Sequence, residues 1–284
     1  MAPPRAYQLT APGRPSLTVH DFGGDGPAVL FAHATGFHGL AWTPVAERLR
    51  AADRHPYALD FGGHGTSGPS PDGYDWDGFR EDALAVADHL ALRDDPDAIA
   101  VGHSMGGAAV LLAEAAAPGT FTRLWVYEPI VFKTPPTREP DTEFPLALGA
   151  RRRRARFASR AAAYEAYAAK PSLGVFTPEA LHAYVDHAFA DRPDGTVELR
   201  CTPEVESEVF SMAVVSGLWA QLPTITAPVA VVCGEHSDAI PPKVAAAIAA
   251  ELPRGHTEVM AALGHFGPME DPDACARSIL AFDT

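Results

Sequence analysis

A serine lies between two glycines in the segment GHSMG at residues 102–106, and a third glycine follows at position 107. A serine hydroxyl is a weak nucleophile until a neighbouring base removes its proton, so Ser104 would need a partner elsewhere in the chain. His265, in the late segment LGHFGP at residues 263–268, is the candidate base. Together the two residues could transfer an acyl group onto the serine oxygen.

Both residues follow apolar segments that have the length of strands. Such segments alternate with amphipathic helical segments, which predicts an α/β fold with a mostly parallel twisted sheet and helices on both faces. Because ligands bind beyond the carboxyl ends of parallel strands, Ser104 and His265 are expected at one sheet edge. The predicted strands cover residues 16–22, 28–34, 55–61, 97–104, 122–128, 228–234 and 256–262, and the predicted core helices cover residues 42–53, 76–93, 105–118, 244–252 and 272–282.

The alternation lapses between residues 130 and 222, where helical patterns are separated by prolines and short polar loops. We interpret residues 130–222 as a helical cap inserted into the core, which then comprises residues 1–129 and 223–284. The basic run at residues 151–154, with Arg156 nearby, is interpreted as the solvated face of a helix. A contact within the lid or with an acidic ligand is the alternative interpretation of that run.

The composition disfavours several classes of protein. A net charge of −14 repels phosphate backbones, so we expect no nucleic-acid partner. The three cysteines, Cys201, Cys233 and Cys275, are far apart, which fits a reducing cytoplasm better than a disulfide framework or a zinc site. The sequence shows neither an apolar leader nor a run of 18 apolar residues, so we expect no signal peptide and no membrane association. We expect no metal, no cofactor, a small-molecule substrate, and a monomer or homodimer.

Four motifs resemble those of the α/β-hydrolase superfamily, in its cap-bearing type. They are HATGFHG at 33–39, DFGGHGTSG at 60–68, GHSMGG at 102–107 and GHFGPMEDP at 264–272, and each follows an expected strand. The resemblance implies that Ser104 is the nucleophile and His265 its base, and that the backbone N–H groups of Thr35 and Met105 form an oxyanion hole. The sequence departs from the family at Ala34, where a glycine is usual, and at residues 62–63, where glycines replace the usual arginine.

Two acids compete for the third place in a catalytic triad. Asp238 follows the strand that carries the acid in most of the family, but it lies one residue beyond the usual place, which Ser237 occupies. Glu128 follows the preceding strand, and a subgroup of haloalkane dehalogenases and the zearalenone lactonases carry their acid at a similar place. A carboxylate that ends an apolar strand is costly to bury without a partner, and a histidine would be such a partner. We favour Glu128 and keep Asp238 as the alternative.

These residues predict a serine hydrolase that cleaves a carboxylic ester or lactone of a small, largely apolar substrate through an acyl-enzyme on Ser104. Aromatic residues are expected to line its pocket, namely Phe37, Phe132, Phe144 and Trp219. A serine in place of aspartate argues against epoxide hydrolysis and haloalkane dehalogenation. Carbon–carbon bond hydrolysis, cofactor-free oxygenation or perhydrolysis on the same triad, and a non-catalytic ligand receptor are the alternatives.

Overall fold

The computed structural model describes residues 3–10, 14–134, 144–212 and 217–282. The strands are β1 (Arg5–Leu9), β2 (Leu17–Asp21), β3 (Ala28–Ala32), β4 (His55–Asp60), β5 (Ile99–His103), β6 (Arg123–Tyr127), β7 (Arg156–Phe157), β8 (Phe189–Asp191), β9 (Val197–Leu199), β10 (Val229–Gly234) and β11 (Gly255–Met260). The α-helices are α1 (Thr43–Ala51), α2 (Trp76–His89), α3 (Met105–Ala116), α4 (Pro145–Arg151), α5 (Arg160–Ala168), α6 (Pro178–Ala188), α7 (Pro203–Ser211), α8 (Leu218–Gln221), α9 (Pro242–Glu251), α10 (Gly267–Glu270) and α11 (Pro272–Phe282). Short 3₁₀ helices cover Gly39–Trp42, Leu92–Asp94 and Leu222–Thr224.

One large sheet has the strand order β1-β2-β4-β3-β5-β6-β10-β11. β1 pairs antiparallel with β2, and β2 pairs antiparallel with β4, whereas the pairs from β4 to β11 are all parallel. This arrangement confirms the predicted α/β fold with a mostly parallel sheet. The chain passes from β3 to one neighbour, β4, and later returns to the other neighbour, β5. The sheet therefore reverses its order beside β3, where α/β sheets place their ligands.

The central strands are buried on both faces, which explains their continuous apolar sequences. In β3, Leu30 packs into one core cluster, while Phe31 packs with Trp42 into the cluster on the opposite face. The side chains of successive strand residues point to opposite faces, so a strand covered twice needs apolar residues throughout. None of the described helices combines the length and hydropathy that crossing a membrane requires.

The part of the chain between β6 and β10 carries α4 to α8 and a small antiparallel sheet of order β7-β9-β8. This segment therefore contains short strands as well as the predicted helices, and its role as a cap stays a prediction. Strands of two or three residues are too short to show a two-residue periodicity, so they could not be predicted from the sequence. The basic run also differs in part from its interpretation, because Arg153 contacts residues of α5, α6 and α7 and its side chain is only 13% exposed. The boundaries 1–129, 130–222 and 223–284 stay a prediction.

Candidate active site

Ser104 lies on the turn between β5 and α3, with backbone angles φ 55° and ψ −114°. A side chain larger than glycine rarely adopts a positive φ, and such strain is concentrated at functional turns. The turn also brings α3 close to β3, since a Cβ at Gly106 would lie 2.3 Å from the carbonyl oxygen of Ala32. Only glycine fits there, because any larger residue would place its Cβ against the backbone of β3.

Glu128 directly follows β6 and is completely buried, and its φ of 47° is also strained. Its carboxylate accepts three hydrogen bonds. Oε1 accepts from the Gly234 amide at 3.0 Å, while Oε2 accepts from the Ser237 hydroxyl and from His265 Nδ1, both at 2.6 Å. An ionised carboxylate only accepts hydrogen bonds, so three converging groups that can donate suit its charged form. The bond from Nδ1 leaves Nε2 of His265 as the basic nitrogen.

The backbone around His265 is held on both sides. His103, beside the serine, donates from Nε2 to the carbonyl oxygen of His265 at 2.8 Å. The Tyr127 hydroxyl donates to the carbonyl of Gly264 at 2.7 Å, and Glu270 accepts from the two amides that flank His265. These bonds fix the loop that carries the imidazole, which is what a general base with a defined orientation needs.

Asp238, the alternative acid, is exposed, and within the described residues no hydrogen bond joins its carboxylate to His265. Ser237 occupies the place where the family usually carries its acid, and here its hydroxyl donates to Glu128. The geometry therefore favours Glu128 as the partner of His265. The sequence could not decide between the two acids because the decision depends on β6 lying directly beside β10.

His33 orients the loop that holds Thr35. Its Nδ1 donates to the carbonyl oxygen of Ala34 at 2.8 Å, and its Nε2 accepts from the amide of Phe61 at 3.1 Å. These two bonds require a neutral imidazole with its proton on Nδ1, and burial together with the neighbouring His64 lowers the pKa of His33 to about 3. The Ala34 carbonyl and the Thr35 N–H belong to one planar peptide group, so fixing the carbonyl fixes the direction of the N–H.

The amides of Thr35 and Met105 have no hydrogen-bond partner in the described part of the chain. Met105 is the first residue of α3, whose leading N–H groups have no partner within the helix. An oxyanion hole needs unpaired donors of this kind, held in place before the reaction begins.

Replacement of His33 by alanine is expected to lower kcat by about tenfold to a hundredfold, because the Thr35 peptide loses the bond that orients it. Hydrolysis of p-nitrophenyl butyrate measures the effect. The matched control is His256→Ala, which removes an exposed histidine and is expected to leave kcat unchanged. Equal rates for the two variants would contradict the orienting role of His33.

Asp60 holds the neighbouring motif DFGGHGTSG together. This buried carboxylate accepts from His20 Nε2 at 3.0 Å, from the Gly39 amide at 2.6 Å and from the Thr66 amide at 2.8 Å. Burial alone would raise the pKa of Asp60, but the bond from His20 and the nearby histidines outweigh burial and hold it below its usual range. Asp60 therefore supports the loop that precedes α1 and makes no contact with His265 in the described structure.

The sequence of the chain matches the alpha/beta hydrolase family over residues 29–278. The protein belongs to this family. A segment of 106 residues is 39% identical to the dihydrolipoyllysine-residue acetyltransferase component of the acetoin cleaving system of Pseudomonas putida, and it covers 37% of this chain and 24% of that one. Another match of 106 residues is 36% identical to the monoacylglycerol lipase of Mycolicibacterium smegmatis, and covers 36% of this chain and 38% of the lipase. The matches thus span between about a quarter and two fifths of these relatives' lengths.

The thioesterase domain from the curacin biosynthetic pathway shares the fold. It superposes on this α/β-hydrolase with a TM-score of 0.78 at 20% sequence identity, over 98% of this chain and 99% of that domain. In the described residues of this α/β-hydrolase, no group of three or more histidine, cysteine, aspartate or glutamate side chains could hold a metal ion.

Of the four aromatic residues expected to line the pocket, Phe37 lies in a different cluster from Phe132 and Trp219. Phe37 lies in an aromatic cluster next to the loop of His265, with ring centroids 4.8 Å from Tyr184, 5.8 Å from Phe266 and 6.2 Å from Phe176. Phe132 and Trp219 are half-buried against the core cluster beside α3, and Phe144 precedes α4. Two surface cavities of about 430 and 280 Å³ are lined by other residues, so the lining of the substrate pocket stays a prediction.

Some residues of this α/β-hydrolase site were not identified from the sequence. Phe176 and Tyr184 belong to the segment between β6 and β10, and they lie beside Phe37 because α6 packs against the 3₁₀ helix that follows Phe37. Phe266 adjoins His265 in the sequence, and that adjacency was the available indication of its role.

Proposed function

We propose that this protein is a serine hydrolase that cleaves a carboxylic ester or lactone of a small, largely apolar substrate through an acyl-enzyme on Ser104. The observation that carries the proposal is the 2.6 Å bond from His265 Nδ1 to the buried Glu128, at the sheet edge that holds the strained turn of Ser104. The aromatic cluster around Phe37, beside His265, supports an apolar substrate. The lipase relative supports an ester as the bond that is cleaved.

In the first half of the reaction, His265 Nε2 takes the hydroxyl proton as Ser104 Oγ bonds to the carbonyl carbon. The carbonyl oxygen becomes an oxyanion, which accepts hydrogen bonds from the Thr35 and Met105 amides. Glu128 stabilises the imidazolium that forms. When the intermediate collapses, the bond from carbon to the alkoxy oxygen breaks, and the alcohol leaves with the proton from His265.

In the second half, a water molecule gives a proton to His265 and attacks the acyl carbon. Collapse of this second intermediate breaks the bond to Ser104 Oγ, which recovers its proton as the carboxylic acid departs. A lactone follows the same steps, except that the alcohol and the acid remain one hydroxy acid.

Reaction with a fluorophosphonate tests the proposal. We expect a single adduct on Ser104 by intact mass and peptide mapping, because only an activated serine displaces the fluoride. The matched variants are His265→Ala, expected to abolish labelling, and His182→Ala on the exposed side of the cap, expected to retain it. Absence of an adduct in the parent protein, or labelling that survives His265→Ala, would overturn the proposed acyl-enzyme. Hydrolysis of a panel of p-nitrophenyl esters and simple lactones then separates the two substrate classes.

A further inference from the structure

A buried cation joins the helices of the cap. The Arg153 guanidinium donates from Nη1 to Glu206 on α7 at 2.7 Å, and from Nη2 to the hydroxyls of Tyr167 on α5, at 3.0 Å, and Tyr184 on α6. The side chains of Arg153 and Glu206 are 13% and 10% exposed. Burying an ion pair is costly unless further hydrogen bonds satisfy it, and the two tyrosines provide them. The ion pair and the two tyrosine hydroxyls satisfy one another, and one of these hydroxyls also forms a hydrogen bond outside the group.

One of these connections leaves the cap. The Tyr184 hydroxyl donates its own proton to the carbonyl oxygen of Gly36 at 3.2 Å. A guanidinium carries only donors, and a tyrosine hydroxyl can accept and donate at once, so the direction of both bonds is fixed. Arg153 donates to Tyr184, and Tyr184 donates to the loop that begins at His33. The Tyr167 hydroxyl has no such onward bond among the described residues.

The chain of donors continues along the loop itself. The Gly36 carbonyl shares a peptide group with the Phe37 amide, and this amide donates to the carbonyl oxygen of Ala34 at 3.1 Å. The Ala34 carbonyl shares its peptide group with the N–H of Thr35. Two hydrogen bonds and two peptide groups therefore connect the Tyr184 hydroxyl to the Thr35 amide. In each hydrogen bond the donor lies on the Tyr184 side and the acceptor on the Thr35 side.

We propose that Arg153 and Tyr184 are positioning residues that orient and polarise the Thr35 amide for the oxyanion, through the carbonyls of Gly36 and Ala34. This inference rests on the proposed function, because it assigns the two residues to the oxyanion step. Hydrogen bonds aligned head to tail polarise one another, and a charged first donor increases the effect. The amide at the end of the chain becomes a stronger donor and is held in one direction.

The packing around Tyr184 leaves the loop little freedom to move away from the cap. His38 donates from Nε2 to the backbone carbonyl of Tyr184 at 2.9 Å, and the two rings are stacked with an interplanar angle of 10°. Gly36 has φ +75°, and a Cβ there would lie 2.6 Å from a carboxylate oxygen of Glu206. The cap and the oxyanion loop are therefore in direct contact through the same residues that form the chain of donors.

Tyr184→Phe is the direct test, and Tyr167→Phe is its matched control. Each variant removes one buried hydroxyl that accepts from Arg153, but only the first breaks the chain to Thr35. With p-nitrophenyl butyrate we expect Tyr184→Phe to lower kcat about tenfold with KM within about twofold, and Tyr167→Phe to stay within about twofold in both. A similar loss of kcat in both variants, or an unchanged kcat in Tyr184→Phe, would overturn the proposal.

A second measurement separates orientation from general damage to the cap. A phenyl-substituted trifluoromethyl ketone forms an oxyanion on the serine, whereas the matching methyl ketone binds without reacting. Tyr184→Phe should weaken binding of the trifluoromethyl ketone by the same factor by which it lowers kcat. Binding of the methyl ketone should stay unchanged. Equal weakening of both inhibitors would show a distorted pocket and would overturn the positioning role.

The charged end of the chain is tested with the double variant Arg153→Met with Glu206→Gln, which leaves no unpaired buried charge. Arg154→Met, one residue along and exposed, is its control. We expect the double variant to lower kcat at least as much as Tyr184→Phe, and the control to keep the parental value. If the parent protein is not labelled by the fluorophosphonate, the proposed function fails. If the parent is labelled and hydrolyses the ester while the double variant matches it, only the positioning role fails.

Discussion

Replacement of Glu128 by glutamine is expected to lower kcat for hydrolysis of p-nitrophenyl butyrate by about 10³- to 10⁴-fold, the loss seen when the acid of a serine triad becomes an amide. The carboxylate accepts from His265 Nδ1 at 2.6 Å and from two further donors, so every hydrogen bond around it points inward. A glutamine has an NH₂ group in place of one carboxylate oxygen. That NH₂ group would face the donors that the oxygen accepts from in the parent protein. His265 then loses both its orienting partner and the negative charge that stabilises its protonated form.

Asp238→Asn is the matched control, since it removes the same charge from the exposed competing position. We expect this variant to keep kcat within about twofold, as is usual for surface changes. A loss in Asp238→Asn together with retained activity in Glu128→Gln would show that the acid has been assigned to the wrong strand.

The position of Ser237 offers a rescue experiment. Its hydroxyl lies 2.6 Å from the same Glu128 oxygen that accepts from His265, so an aspartate there would reach the imidazole from a neighbouring direction. Adding Ser237→Asp to Glu128→Gln should recover part of the lost kcat, as burst and steady-state kinetics would show. Recovery would establish that His265 needs a carboxylate beside Nδ1. It would also show that this carboxylate can follow either β6 or β10.

The parallel part of the sheet could be predicted from the sequence because the strands in that part are buried on both faces. β3, β5 and β10 consist mainly of apolar residues, and the structure places them within about two residues of their predicted bounds. β1 was missed, since its sequence RAYQL mixes polar and apolar residues and three of its five positions are exposed. An edge strand of this kind carries little periodic information.

The site could be predicted only as far as neighbours along the chain determine it. Ser104 and His265 were identified from their motifs and the strands before them. The choice of Glu128 needed the pairing of β6 with β10, and the burial of Arg153 needed the mutual packing of the helices between β6 and β10. Both are tertiary contacts between distant segments, which override what a local pattern indicates.

Acidification from pH 7 to pH 5 is expected to lower the free energy of unfolding by about 3–5 kcal/mol, because several histidines are buried in the neutral form. Burial lowers the pKa of His33 to about 3, and those of His38 and His64 to about 4. Burial also holds the pKa of His103 well below its usual range. In the unfolded chain each of these side chains titrates near pH 6.5.

The sign follows from proton uptake. A depressed pKa contributes stability that is fully present above pH 6.5 and is lost as the pH falls, because the unfolded state binds the proton first. At pH 5 each such histidine has lost about 2 kcal/mol, and the three with assigned values together have lost about 4–6 kcal/mol. Asp82 acts in the opposite direction, since burial raises its pKa to about 6, and its protonation in the folded state returns about 1 kcal/mol by pH 5. Asp60 adds to the loss only below about pH 4.

The net loss of about 3–5 kcal/mol is close to the lower end of the stability of an ordinary domain, about 5–15 kcal/mol. Urea unfolding at pH 7.5, 6 and 5 measures this loss, with the m-value checked for constancy.

His64→Asn should reduce the loss of unfolding free energy between pH 7 and pH 5 by about 2 kcal/mol. Asparagine keeps a donor for the Gly62 carbonyl and cannot titrate. His256→Asn, at an exposed position, should keep the parental slope. A free energy of unfolding that stays constant from pH 7 to pH 5 would mean that these histidines are hydrated in the folded protein, and His33 could then no longer be assumed to hold the Thr35 peptide as a neutral donor.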